Sequence, residues 1–165
     1  MQSVLVRLAR IDEAELINEI KINAYVPTYQ GLIGTVPSPA REDYRTRIES
    51  GHVWIAEWSG TAAAVMAVDE KIGYLMIYSV AVDPRWQGKG LAKALFAQAE
   101  QYAIRNSLPE LRLHTNSKML KNIALYEKLG FTKTGKRPHP SREGHYLIDM
   151  AKPILNETMH QTGAG

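Results

Sequence analysis

Val80-Ala81-Val82-Asp83-Pro84-Arg85-Trp86-Gln87-Gly88-Lys89-Gly90-Leu91-Ala92 joins the end of an apolar run to the start of a helical one, with only a glycine-bearing turn between them. The run Tyr74 to Val82 reads as a strand buried on both faces, and Asp83-Pro84 stops it by removing a ladder donor and fixing φ. Gly88 and Gly90 carry no Cβ to hold a ligand off the backbone, and Leu91 to Ile104 follows with helical spacing. A helix starts with four amides that find no acceptor inside it and with the positive end of its dipole, so this turn suits an anion, a phosphate above all. Lys89 and Lys93 add mobile positive charge beside it. The plainer alternative, a tight strand-to-helix turn without a ligand, stays open on the glycines alone. A P-loop is excluded because Gly90, not Ser or Thr, follows Lys89; a dinucleotide fingerprint is excluded because Lys93 stands where its third glycine belongs.

Downstream of the turn, the predicted helix buries Leu91, Leu95, Ala99 and Tyr102, and Pro109 separates it from a strand at Leu111-Arg112-Leu113-His114-Thr115. Strand, helix and strand make a right-handed βαβ unit, so the fourth and fifth strands run parallel and the glycine turn lies where open α/β sheets bind ligands. Asn116 or Ser117 then caps a helix that ends at Lys128, with Gly130 supplying the left-handed stop. Phe131 to Lys136 and Tyr146 to Ala151 are the last two strands, joined by the polar loop Arg137 to His145. Residues 155–165 carry no apolar stripe and are expected to fray.

Upstream, Val4 to Leu8 reads as the first strand and Ile11 to Tyr25 as a helix opened by an Asp12/Glu15 capping box. The prolines and glycines at Pro27, Gly31, Gly34, Pro37 and Pro39 predict a loop from Val26 to Ser38, after which Ser38-Pro39 should open a helix over Ala40 to Ser50. His52 to Glu57, Ser59-Gly60 and Thr61 to Val68 form a hairpin that continues into Tyr74 to Val82.

The chain has 165 residues, 45% of them hydrophobic and none of them cysteine, with a formal charge of +3. That is the size of one domain, taken as residues 1–154, able to bury about 70% of its unfolded surface. Without cysteine there are no disulfides, no thiol nucleophile and no usual structural zinc ligands, which suits a cytoplasmic setting. No segment reaches the roughly 18 apolar residues of a membrane span. No basic block carries the interleaved aromatics of a nucleic-acid groove, so neither membrane nor nucleic acid is expected as a partner.

The spacing Gln87-x-x-Gly90-x-Ala92 after Val-Asp-Pro closely resembles the pyrophosphate-binding motif of the GNAT superfamily of acyl-CoA-dependent N-acyltransferases. Asn122-Ile123-Ala124-Leu125-Tyr126-Glu127-Lys128-Leu129-Gly130-Phe131 resembles that superfamily's second signature almost letter for letter. The resemblance implies an α/β fold with a mixed, predominantly antiparallel sheet, helices on both faces, and parallel fourth and fifth strands splayed apart. It implies the element order β-α-α-β-β-β-β-α-β-α-β-β. It further implies acetyl-CoA as co-substrate and an amine acceptor. The N–H groups of Gln87, Gly88, Lys89, Gly90, Leu91 and Ala92 would meet the diphosphate, and the backbone of Val80 and Val82 the pantetheine arm. Asn122 would be a further acyl-CoA contact, although many relatives place the asparagine at the position of Met119 here. Homodimers are common in the family.

Acetyl transfer to an amine needs a neutral nucleophile and an acid for the leaving thiolate. Tyr126 resembles the family's general acid; on spacing alone, with Met119 and Ile123, it reads as part of a buried helical stripe. The base is open. Arg112 stands where some relatives carry an acidic residue, leaving His114, Tyr78, Ser79 and Glu57 as candidates. His139 and His145 lack a third partner at metal spacing, so no metal is expected. Tyr25 and Tyr29, with the loop Arg137 to His145, are candidates for acceptor binding. A GNAT fold that retains acyl-CoA without turnover is the alternative function.

Overall fold

The computed structural model describes residues 3–33 and 42–154, the side chains of residues 28–33 excepted. Among the described residues seven strands form one mixed sheet in the order β1-β2-β3-β4-β5-β7-β6. They are β1 (Val4–Leu8), β2 (Val53–Trp58), β3 (Thr61–Lys71), β4 (Tyr74–Val82), β5 (Glu110–Asn116), β6 (Thr132–Pro138) and β7 (Tyr146–Pro153). The helices are α1 (Ala14–Ile33), α2 (Arg45–Glu49), α3 (Leu91–Arg105) and α4 (Leu120–Lys128), with short 3-10 turns at Ile11–Glu13 and Pro84–Trp86. The chain divides into two compact units, Met1–Asp69 with Ile77–Gln98, and Glu70–Met76 with Ala99–Gly165.

In the first unit, β1 pairs antiparallel with β2 from Val4↔Trp58 to Leu8↔Trp54, and β2 with β3 around the Ser59-Gly60 turn. Its core gathers Ile17 and Ile20 of α1, Tyr44, Val53, Ile55 and Val65. Arg7 locks the entry to α1: its guanidinium donates to both Glu13 carboxylate oxygens at 2.8 Å and to Glu57 at 2.7 Å. In the second unit, β5 pairs with β4 in parallel at Leu75↔Leu111 and Met76↔Arg112, and with β7 antiparallel from Glu110↔Pro153 to Asn116↔Leu147. Leu111, Leu113, Ile123, Phe131 and Met150 are buried there. Gly130 ends α4 at φ +100°, a left-handed conformation that favours glycine; a Cβ on it would lie 3.1 Å from the Lys152 Cε, the far end of a flexible side chain.

Several expectations need correction. The segment from Val26 is helix, not loop, as far as Ile33, with Pro27 inside α1. Proline in a helix interior costs about 3 kcal/mol, but Pro27 itself is exposed, and the same helix buries Ile17, Ile20 and Tyr25. Residues 34–41, including Ser38-Pro39, lie outside the described residues, and the helix expected over Ala40 to Ser50 is the five-residue α2. The capping carboxylate of the first helical segment is Glu13, which accepts the Arg10 amide at 2.8 Å, not the Asp12/Glu15 pair. The fold has three strands between α2 and α3, not the four of the order given above, because β3 runs on to Lys71 and reverses directly into β4. Tyr102 is half-buried, its hydroxyl donating to Glu70 at 3.0 Å. Helix α4 starts at Leu120 with no side-chain cap; Asn116 instead accepts the Lys118 amide at 3.0 Å and holds the turn before it.

Candidate active site

The first unit carries the glycine turn. Gly88 and Gly90 both adopt φ +78°, the left-handed region where a side chain is strained, and a Cβ on either would meet no atom of the described residues within 4 Å. Internal packing therefore does not demand glycine at these positions; the open space above the turn is preserved instead. The Gly90 carbonyl accepts the Ala94 amide at 3.0 Å, which makes it the first acceptor of α3 and leaves the amides just after it without an acceptor in the helix. Leu91 is buried beneath them, so the turn is anchored by its side chain while Gln87, Gly88, Lys89 and Gly90 are exposed. The Lys89 ammonium lies 5.4 Å above the Trp58 ring, and Lys93 is exposed on the first turn of α3.

Asp83, 2% exposed, leads into this turn. One carboxylate oxygen accepts the Arg85 amide at 3.0 Å and its Nε at 3.1 Å; the other accepts Arg85 Nη2 at 2.9 Å and Asn23 Nδ2 at 3.5 Å. The Arg85 guanidinium beside it holds the Asp83 carboxyl below the usual carboxylate range against the opposing effect of burial. The Asp83 amide bonds to the Ala63 carbonyl of β3, so strand alternation turns the N–H and C=O of Val80 and Val82 away from β3. The Tyr25 hydroxyl donates to the Val80 carbonyl at 2.8 Å, whereas the Tyr29 side chain lies outside the described residues.

Three of the four candidate bases are otherwise committed. Glu57 is paired with Arg7 at 2.7 Å. Ser79 is buried and shares a 2.5 Å hydrogen bond with the Tyr44 hydroxyl. Burial, then a hydrogen bond to Glu42, pushes the Tyr78 phenol well above its ordinary value, and its ring lies 3.9 Å from the Arg47 guanidinium.

His114, the fourth, belongs to the second unit. It sits on β5 opposite Asp149 of β7, whose carboxylate receives Arg137 at 2.9 and 3.1 Å. The residue keeps solvent-exposed surface, yet desolvation around its ring, followed by the positive charge of Arg137, lowers its pKa; Asp149 opposes this and His139 adds to it. Tyr126 is 8% exposed on the stripe it shares with Met119 and Ile123, as its spacing suggested, and packs edge-on against Phe131 with centroids 6.2 Å apart. Asn122 lies on the same helix, half-buried. His145 shares a 3.3 Å contact with the Asn116 side chain, and the His139 imidazole accepts the Ser141 amide at 3.1 Å. Among the described residues no group of three or more His, Cys, Asp or Glu is placed to hold a metal ion.

Sequence reasoning treated Asp83 only as a strand terminator. The signal for more was present in Asp-Pro-Arg, where a carboxylate before a proline is the usual chemistry for capping a short helical turn. The fully buried Lys21 gave no comparable signal.

This arrangement, a mixed sheet with a parallel β4-β5 pair and a glycine turn opening a helix, is the architecture expected of the acyltransferase fold. The Acetyltransferase (GNAT) family profile matches residues 21–131, and the chain belongs to that family. It is 28% identical over 111 residues to N-acetyltransferase family 8 member 2 of Rattus norvegicus, which covers 64% of this chain and 45% of that protein. It is also 28% identical over 122 residues to the N-acetylaspartate synthetase of Xenopus tropicalis, covering 73% and 43%. The chain thus spans less than half the length of these curated relatives. Its fold is similar to that of the PaiA N-acetyltransferase of Thermoplasma acidophilum solved in complex with coenzyme A, with a TM-score of 0.75 at 18% identity over 92% of this chain and 99% of that one. Among the described residues no helix is long and apolar enough to cross a membrane.

Proposed function

We propose that the protein is an acetyl-CoA-dependent N-acetyltransferase that acetylates a primary amine of a small molecule or peptide by direct attack in a ternary complex. The observation that carries this reading is the glycine turn, where two left-handed glycines bare the first amides of α3 to open space. In this reading the amides from Gly88 through Ala92 hold the diphosphate, with Gln87 leading into them because its own amide bonds back to the Pro84 carbonyl; the outward backbone groups of Val80 and Val82 meet the pantetheine arm, and Asn122 adds a contact from α4. When bound, acetyl-CoA supplies an activated acetyl group; the amide C–N bond forms as the thioester C–S bond breaks.

An alkylamine of pKa about 10.4 is neutral in only about one molecule in 2,500 at pH 7, so a base must take its proton. His114 is assigned that role: its imidazole is held toward the neutral, proton-accepting form. Tyr126 is assigned the acid, since a phenol of reference pKa about 10 carries its proton at neutral pH and can deliver it to the departing sulfur. Tyr25, Tyr29 and the loop bearing His139 and His145 are assigned to the acceptor. The relative named for N-acetylaspartate suggests that amino-acid α-amines belong in the first panel of acceptors. A cytoplasmic location, favoured by the absence of cysteine, and a homodimeric state belong to the same proposal.

The test is release of CoA thiol from acetyl-CoA in the presence of amino acids, peptide N-termini, polyamines and aminoglycosides. Release stimulated by one acceptor class above the rate without acceptor is the expected result. Tight CoA binding with no stimulation by any amine would replace this reading with the non-catalytic one.

A further inference from the structure

Asp83 presents an electrostatic puzzle. A buried carboxylate four residues before a diphosphate cradle repels the ligand the cradle is meant to attract, and a neutral residue would serve better if only charge mattered. Its contacts are those of a template. One oxygen accepts the Arg85 amide, the Asp83 carbonyl accepts the Trp86 amide at 2.9 Å, and Pro84 follows at the first position of the 3-10 turn. The Gln87 amide then reaches back to the Pro84 carbonyl at 3.4 Å, so the path of the chain into Gly88 is set by the turn that Asp83 caps. The second oxygen pins the Arg85 guanidinium, whose side chain is 69% exposed, and lies at hydrogen-bond range from Asn23 of α1. Arg85 in turn cancels the carboxylate's charge and lies over the Trp86 ring at 4.5 Å.

We propose that Asp83 is a positioning residue for the diphosphate cradle: its capped turn aims the amides from Gly88 to Ala92, and Arg85 neutralises the charge this role requires. The inference rests on the reading that the cradle binds CoA. It makes a prediction opposite in sign to electrostatics alone, because removing a negative charge should tighten an anion, whereas removing a template should loosen it.

The test compares Asp83→Ala with Asp83→Asn, titrating CoA by calorimetry and pantetheine, which lacks the diphosphate, by NMR. Loss of the cap in Asp83→Ala should weaken CoA about 5- to 10-fold and leave pantetheine unchanged. Asp83→Asn retains a cap oxygen and should recover most of the affinity. Tighter CoA binding in Asp83→Ala, or an equal loss for CoA and pantetheine, overturns the proposal. If Asp83→Ala does not fold, Asp83→Ser takes its place; its short hydroxyl can still cap the Arg85 amide, so CoA affinity within about 3-fold of the parent is expected, and the same two outcomes overturn the idea. A parent protein that fails to bind CoA would instead remove the acetyltransferase reading itself.

Discussion

Replacing Lys21 by methionine should stabilise this protein at neutral pH, although lysine to methionine in a core normally means losing hydrogen bonds. Lys21 falls on the buried stripe of α1 with Ile17 and Ile20 and is 0% exposed. Its ammonium donates to the Glu42 carbonyl and lies 3.5 Å from the centroid of the Tyr44 ring. These partners do not replace the lost water: desolvation lowers the pKa from 10.5 to about 8, against the opposing pull of Glu42 and Asp43 and with help from Arg47. A fall of that size means that the charged form costs at most about 3 kcal/mol more in the folded protein than in the unfolded chain. Methionine removes the charge and fills the same unbranched space, while the Glu42 carbonyl loses a donor worth about 1 kcal/mol. The net expectation is about 2 kcal/mol of added stability at pH 7, or roughly 5 °C in Tm for a chain of this length.

The pH dependence is a second, sharper readout. Below pH 8 the penalty is fully present, because Lys21 is charged in both states. Between about 8 and 10.5 the folded protein has released the proton and the unfolded chain has not, so the parent gains stability as pH rises. Tyr44 and Tyr78, both held protonated in the fold, act in the opposite sense only above the ordinary phenol range near 10. Urea unfolding followed by circular dichroism at pH 7 and pH 10 should therefore show the advantage of Lys21→Met shrinking by roughly 2 kcal/mol. A variant less stable than the parent at pH 7, by an amount that does not change up to pH 10, would refute the claim that a desolvated charge sits in this core.

Three further outcomes follow from the site. Tyr126→Phe should lower kcat by about 100-fold or more while changing CoA affinity little, as steady-state kinetics and calorimetry on one preparation would reveal; equal turnover removes the acid assignment. Gly90→Val should abolish measurable CoA binding in a folded protein, since it places a branched side chain at φ +78° and in the open space above the turn; undiminished affinity contradicts the cradle. For His114, kcat/KM should fall as pH drops through a value below the ordinary 6.5, because protonation removes the acceptor lone pair; His114→Gln should lose that limb, and its persistence would assign the base elsewhere.

The parts of the fold that could be read from sequence are those in which local chemistry and tertiary structure agree. Tyr74 to Val82 is an apolar run closed by Asp83-Pro84, and it is β4 with those bounds. Gly130 stops α4 where a left-handed residue was needed. The reading failed where tertiary burial overrode a local preference. Pro27 breaks most helices, yet α1 continues through it, with Ile17, Ile20 and Tyr25 of the same helix committed to the core. Lysine belongs on surfaces by composition, and nothing in the residues around Lys21 announces that Tyr44, more than twenty positions away, supplies a ring to receive it.

The same distinction explains why the glycine turn was legible and the surroundings of His114 were not. Backbone amides at a glycine turn owe their direction to residues within the same few positions, so a motif of spacing suffices to find them. A base is defined by its protonation state, and that of His114 depends on charges delivered from β6, β7 and the loop between them: Arg137, Asp149 and His139. No pattern within Leu111-Arg112-Leu113-His114 encodes those neighbours, and the register His114↔Asp149 appears only once β5 and β7 are paired. His114 is accordingly the residue whose role depends most on the fold, and substitutions at Arg137 should move the acidic limb of the rate profile upward by removing a positive charge that holds the imidazole neutral. If Arg137→Ala leaves that limb unmoved while His114→Gln removes it, the base is right but its tuning lies in desolvation alone.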